Sequence, residues 1–186
     1  SLIENKLLKW FILFSAIIGV GTLSMAWFAQ PFFKEVDIPL KWFGFIWATL
    51  NFSVGISSYH AYRLEQIFSK NNLLLFISIC VSGSFYFLGK SETQWGILWI
   101  LFIYLLRGIA TPVLRNYINK ITYSEIRATV LSIRSFIIRS TFAVTAPFLG
   151  WIADHYTLSN SFWILGFFIG LISAICTLKL SSLSND

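Results

Sequence analysis

Negative charge is what this sequence has least of. Only 8 of its 186 residues are Asp or Glu, and charged residues of both signs make up 12%. None of the acids lies deep in an apolar run. Glu4, Glu35, Asp37, Glu65, Glu92, Glu125, Asp154 and Asp186 sit in polar connections, near the ends of runs or in the tails. With 56% hydrophobic residues and a mean hydropathy of +0.72, the chain has too little polar surface to cover a water-soluble core. A soluble globular domain is excluded. Cysteine is scarce as well. Cys80 and Cys176 both lie inside apolar runs and offer neither metal-ligand spacing nor a disulfide framework. There is no P-loop, no H-E-x-x-H and no intramembrane Asp–Asp pair. An enzyme is therefore not expected, nor a metal, nor a cofactor. The net charge of +6 comes from basic residues scattered between apolar runs, without the patch that marks a nucleic-acid binder.

What the sequence has is apolar length. A helix needs about 20 apolar residues to cross a bilayer, and six such runs are present, at about 7–33, 42–62, 73–88, 95–117, 128–149 and 158–178. The runs are continuous, not alternating with period two, which excludes a transmembrane barrel. Unpaired backbone groups are costly in hydrocarbon, so each run is expected as a closed helix. The fold expected is an all-α integral membrane bundle of six transmembrane helices over residues 1–186. Every connection is short and polar, with no soluble domain interposed. The first apolar run is too long for a signal h-region and lacks a small-residue cleavage site, so it is expected as a span and not as a cleavable signal; the chain opens on Ser1, and a piece of a longer protein is expected.

Loop charge sets the orientation. With a cytoplasmic N-terminus, the inner segments hold Lys6, Lys9, Arg63, Lys70, Arg115, Lys120, Arg127 and Lys179, and the outer ones only Lys34, Lys41 and Lys90. The expectation is both termini cytoplasmic, in the plasma (cytoplasmic) membrane. Trp42, Trp95, Trp151 and Tyr156 then fall at the outer interface and Trp10 at the inner one, as aromatic belts do. His60 and His155 fall at opposite faces and share no ligand.

Three basic residues lie deep within spans, away from their ends: Arg107, Arg134 and Arg139. A charge at the bilayer centre opposes insertion by about 2.5–3.5 kcal/mol, and the Leu, Ile and Phe residues preceding Arg107 return about 2.5–5 kcal/mol. The span inserts, but its guanidinium does not face lipid. At 1.5 Å per residue, Arg107 lies about 18 Å from Trp95, Arg139 about 16 Å from Ala128, Asn51 about 14 Å from Trp42 and Thr22 about 20 Å from Lys9. Four spans thus bring a polar group near the midplane. Helical spacing puts Tyr104, Arg107 and Thr111 on one face. It puts Ser132, Ser135 and Arg139 on another, continued by Ala143 and Ala146, and Asn51, Gly55 and Ser58 on a third. These stripes are expected to line a cavity or a packed polar interior. Arg107 has an alternative role, bonding backbone carbonyls freed by Pro112. Arg134 points about 140° away from Arg139 and is expected to reach the inner headgroups. The G-x-x-x-G at 166–170 is expected to serve close helix packing, and Pro31, Pro112 and Pro147 to end or kink helices.

"YSEIRATVLSIRSF" (residues 123–136) followed by "APFLGWIADHY" (146–156) resembles the eleventh helix of major facilitator superfamily transporters, with an R-A-T-x-L-S-like entry and a P-x-x-G-x-x-x-D exit. "WFAQPFFKEVDIPLKWFG" (27–44) is similar to that superfamily's seventh-to-eighth helix turn. "GISSYHAYRLEQIF" (55–68) keeps Gly55 and Arg63 of a motif resembling G-x-x-x-D-R-x-G-R, with Tyr59 in place of the acid. The resemblance implies the C-terminal six-helix half of a twelve-helix secondary active transporter, a permease for a small solute. Its substrate site would lie between two halves, lined here by the first, second, fourth and fifth spans. The site residues expected are Arg107, Arg139, Asn51 and Thr22, with Tyr104, Gln30 and Trp27 adding hydrogen bonds or stacking. The partners expected are the lipid bilayer, the missing N-terminal half and the solute. Two cations without a deep acid attract either an anionic substrate group or a carboxylate from the other half. If transport is proton-driven, the carrier acid is expected in that half. A non-transporting six-helix scaffold or sensor domain is the alternative.

Overall fold

The computed structural model describes residues 5–185, and these are helical almost throughout. Six α-helices follow one another: α1 (Lys6–Glu35), α2 (Phe43–Ile67), α3 (Lys70–Gly89), α4 (Ile97–Lys120), α5 (Arg127–His155) and α6 (Leu158–Asn185). Each occupies one expected span, and most outrun it. Hydropathy marks the stretch that hydrocarbon tolerates, whereas backbone hydrogen bonding continues into the polar flanks. Pro31, Pro112 and Pro147 all lie inside helices and end none of them.

Caps and short turns separate the helices. Asn5 accepts from Leu8 N at 3.0 Å to start α1, and Ser69 accepts from Asn72 N to start α3. Short 3₁₀ turns at Leu40–Trp42, Gln94–Gly96 and Ser124–Ile126 feed α2, α4 and α5. The turn after α1 is made by Asp37, whose φ of 54° is a left-handed value that Asp tolerates better than most residues.

Among the described residues, five helical stretches are long and apolar enough to cross a membrane: Lys6–Glu35, Lys70–Gly89, Gln94–Lys120, Ser124–His155 and Leu158–Leu183. α2 has the length, about 38 Å at 1.5 Å per residue, but its middle carries Asn51, Ser53, Ser57, Ser58 and His60. Composition therefore marks five helices as spanning, and α2 qualifies by length alone.

α1 is the hub, packed against α4, α5 and α6. α3 pairs most closely with α6, and α2 with α4. Lipid offers helices no hydrophobic drive toward one another, so contact depends on small residues and interhelical hydrogen bonds. The G-x-x-x-G of α6 supplies both against α3. A Cβ on Gly166 would stand 2.9 Å from Phe85 Cβ, and one on Gly170 2.7 Å from Ser82 Oγ. Ser82 Oγ donates to Gly166 O at 2.7 Å. Phe28 and Phe32 of α1 and Phe85 of α3 then gather around Phe162 of α6, with centroids at 6.4, 6.3 and 6.3 Å.

α2 and α5 differ from the rest. α2 buries one stripe, Phe43, Leu50, Ser53, Ser57 and Ala61, and α5 buries only Val130, Arg134, Leu149 and Ile152. The stripe Asn51, Gly55 and Ser58, expected inside, is exposed along its length. α2 instead turns its serines toward α4, because Ser53 and Ser57 satisfy their hydroxyls on their own helix (Ser53 to Leu50 O at 2.7 Å, Ser57 to Ser53 O at 2.8 Å). Small, internally bonded residues let α4 approach closely. At the far end of the pair, both Glu65 oxygens accept from Asn116 Nδ2 at 2.8 Å, and Lys120 Nζ lies 2.6 Å from Glu65 Oε1. Glu65 thus ties the last turn of α2 to α4, six residues after Tyr59, which stands in place of the expected acid.

Candidate functional site

A cleft of about 590 Å³ runs between α1, α4 and α5. Gly19, Thr22, Leu23 and Trp27 line it from α1, Arg107, Thr111 and Arg115 from α4, and Arg134, Ser135, Ile138, Arg139 and Phe142 from α5. Four of the chain's basic residues therefore share one wall system, and no carboxylate is among the lining residues.

The packing of α5 on α1 shapes this cleft. Arg134, Ile138 and Phe142, spaced by four, form the α5 face that meets α1. Arg134 Nε bonds Ser15 Oγ, Ile138 fills the space over Gly19, and the Phe142 ring lies 6.0 Å from that of Trp27. A Cβ on Gly19 would fall 2.6 Å from Ile138 Cδ1, so glycine is what admits this residue. Arg134 is only 6% exposed. The expectation that it reaches the inner headgroups is thus corrected: it turns inward to a hydroxyl. The expected stripe of Ser132, Ser135, Arg139, Ala143 and Ala146 is rotated off the α1 contact. Ser132, Arg139 and Ala143 are exposed, while Ser135 and Arg139 still reach the cleft from its open side.

Arg107 is half-buried and holds its guanidinium 5.8 Å from the Tyr104 ring centroid, within cation–π range. Tyr104 is 1% exposed and stands edge-on to Trp47 at 6.0 Å, so it backs Arg107 and does not form the cleft wall. The Tyr104 hydroxyl and Trp47 Nε1 are buried without hydrogen-bond partners among the described residues. The alternative in which Arg107 binds carbonyls freed by Pro112 is not what the side chain does. Among the described residues it makes no hydrogen bond or ion pair; its aromatic contact takes that place. Thr22 is buried and donates to Gly19 O at 3.1 Å, leaving an acceptor toward the cleft.

The structure therefore brings Arg107, Arg139, Thr22 and Trp27 together and leaves three expected residues outside. Asn51 is exposed on α2, its Nδ2 bonded to Trp47 O at 2.9 Å. Gln30 is exposed toward the end of α1, and Tyr104 sits behind Arg107. Arg115 and Arg134 join the site without having been expected there. Their signal lay in four-residue spacing: Arg115 continues the row Arg107, Thr111 on α4, and Arg134 begins the row Ile138, Phe142 on α5 that faces Ser15, Gly19 and Trp27 of α1.

A guanidinium carries five N–H donors and no acceptor. Among the described residues the four arginines make a single hydrogen bond, that of Arg134 to Ser15. Two unit charges about 10 Å apart repel by roughly 1.7 kcal/mol at an effective dielectric of about 20. Such a cluster lowers its energy on meeting an anion, and the cleft is open to admit one. An apolar groove of about 410 Å³, lined by Trp27, Pro31, Phe142, Ala146 and Pro147 among others, adjoins it beyond the Trp27–Phe142 pair.

Comparison with protein-family models, with curated proteins and with solved structures gives no match to this chain. Fold and site together define a class: an apolar, all-helical chain of membrane-spanning type with an arginine-lined cleft open along one side.

Proposed function

We propose that the chain is the C-terminal six-helix half of a secondary transporter of the major facilitator type. It would carry a small solute through this cleft by alternating access. The observation that carries the reading is a polar, multi-arginine cleft between α1, α4 and α5, in a bundle whose flanking helices, α2 and α5, leave broad faces uncovered. Intramembrane ionisable residues are functional-site candidates by default, solute paths among them. In this reading the second six-helix half covers the exposed faces of α2 and α5, so Asn51 and Arg139 face it across the cavity. The excess of Lys and Arg at the inner ends supports cytoplasmic termini, and a small-solute carrier of this kind would sit in the plasma membrane.

Transport by the full-length protein in proteoliposomes tests this. Organic anions, sugars and cationic drugs form the panel. Saturable uptake of one class above protein-free liposomes is expected. Uptake of none would leave a non-transporting scaffold as the better account.

A further inference from the structure

We propose that the cleft selects a small soluble organic molecule bearing two separated oxyanion groups, each held by one tier of arginines. The proposal rests on the cleft being a solute path. Helix rise places Arg115 about 8 Å from the Lys120 end of α4, and Arg134 about 10 Å from the Arg127 end of α5. Arg107 and Arg139 lie about 20 and 18 Å from the same ends. The four side chains thus form two pairs at two depths, about 8–12 Å apart along the helices.

Each tier has one anchored and one free member. In the lower tier Arg134 is fixed by Ser15, and Arg115 is exposed. In the upper tier Arg107 is held over Tyr104, and Arg139 is exposed. An anchored guanidinium beside an exposed, unpaired one suits closure onto an entering oxyanion. The planar fork matches carboxylate or phosphate with paired hydrogen bonds, which an ammonium does not reproduce.

A monoanion satisfies one tier and leaves the other unpaired. A molecule with anionic groups several bonds apart satisfies both. Leu23 and Ile138 on the cleft wall favour a carbon skeleton over a bare inorganic ion. A phospholipid headgroup offers the same oxyanion chemistry, but phosphatidylglycerol carries one anionic group and can fill one tier only.

The test is calorimetric titration of the full-length protein in phosphatidylcholine nanodiscs. Succinate is compared with succinamate, and fructose 1,6-bisphosphate with fructose 6-phosphate. Inorganic phosphate, glucose and nanodiscs containing phosphatidylglycerol serve as controls. At least one two-ended anion should bind about 10-fold or more tightly than its one-ended partner. Arg134→Gln and Arg139→Gln should each erase that preference, Arg134→Lys should restore part of it, and Lys41→Gln, in the distant α1–α2 connection, should not change it. Equal binding of both members of each pair, a preference that survives both glutamine variants, or displacement by phosphatidylglycerol alone would overturn the proposal. Uptake of a neutral or cationic solute without dianion binding would overturn it too, leaving the transporter reading intact. Dianion binding without any uptake would do the reverse.

Discussion

Replacing Arg107 by alanine is expected to reduce uptake by about 10- to 100-fold, the loss of one charge-assisted contact, while membrane insertion and thermal stability hold or improve. The two halves of that expectation come from different physics. The guanidinium opposes insertion by about 2.5–3.5 kcal/mol at mid-span, so alanine relieves the helix. It makes no hydrogen bond or ion pair among the described residues, so alanine leaves no partner stranded. A purely structural Arg107 would show the opposite: lower stability, and uptake falling only with protein yield. Arg107→Lys keeps the charge and loses the planar fork, and should fall between wild type and alanine. Tyr104→Phe keeps the ring under the cation and removes only a hydroxyl without a partner, so uptake should remain within about twofold of wild type. Uptake unchanged in both Arg107 variants would remove this residue from the solute path.

Gly108→Ala is expected to separate α2 from α4. The added Cβ would fall on Ser57 Oγ and only 2.5 Å from the backbone oxygen of Val54. Serine can turn away, but a carbonyl in a helix cannot. Overpacking of this kind costs about 1–3 kcal/mol, more for Gly108→Val, against a helix-propensity gain of about 1 kcal/mol. Because α2 packs on α4 and little else, its register goes with the contact. Size-exclusion and thermal melting of the solubilised protein should show loss of monodispersity and a lower midpoint for Ala, and little folded material for Val. Gly55→Ala is the matched control, since nothing stands within 4 Å of its added Cβ. It should be neutral or stabilising by up to about 1 kcal/mol. A stability gain in Gly108→Ala equal to that in Gly55→Ala would contradict the close α2–α4 approach.

How much of this was legible beforehand divides along one line. Depth was readable and azimuth was not. Continuous apolar runs located all six helices, and counting at 1.5 Å per residue put Arg107, Arg139 and Thr22 at one level, where they do meet. In water, the apolar face of a helix announces the core. In lipid, the core-facing and lipid-facing sides are both apolar, and a polar stripe a residue or two wide leaves its direction unfixed. Arg134 shows the result: it turns toward Ser15 of α1 and not outward to the headgroups. The Asn51 stripe shows the same failure, since the neighbouring Ser53 and Ser57 satisfy themselves on their own helix and take the buried face. Tyr104 fell on the expected face, but its bulk packs it behind Arg107.

Accessibility of the cleft from both sides of the membrane tests the central claim most directly. Ser135 is half-buried, bonded only to its own helix through Leu131 O at 3.0 Å, and lines the cleft beside Arg139. A Ser135→Cys variant of the full-length protein, with Cys80 and Cys176 replaced by alanine, can be exposed to a membrane-impermeant maleimide in right-side-out and in inside-out vesicles. Alternating access predicts labelling in both. Labelling in neither, or from one side only under every solute condition, would contradict a cleft that carries solute across the membrane.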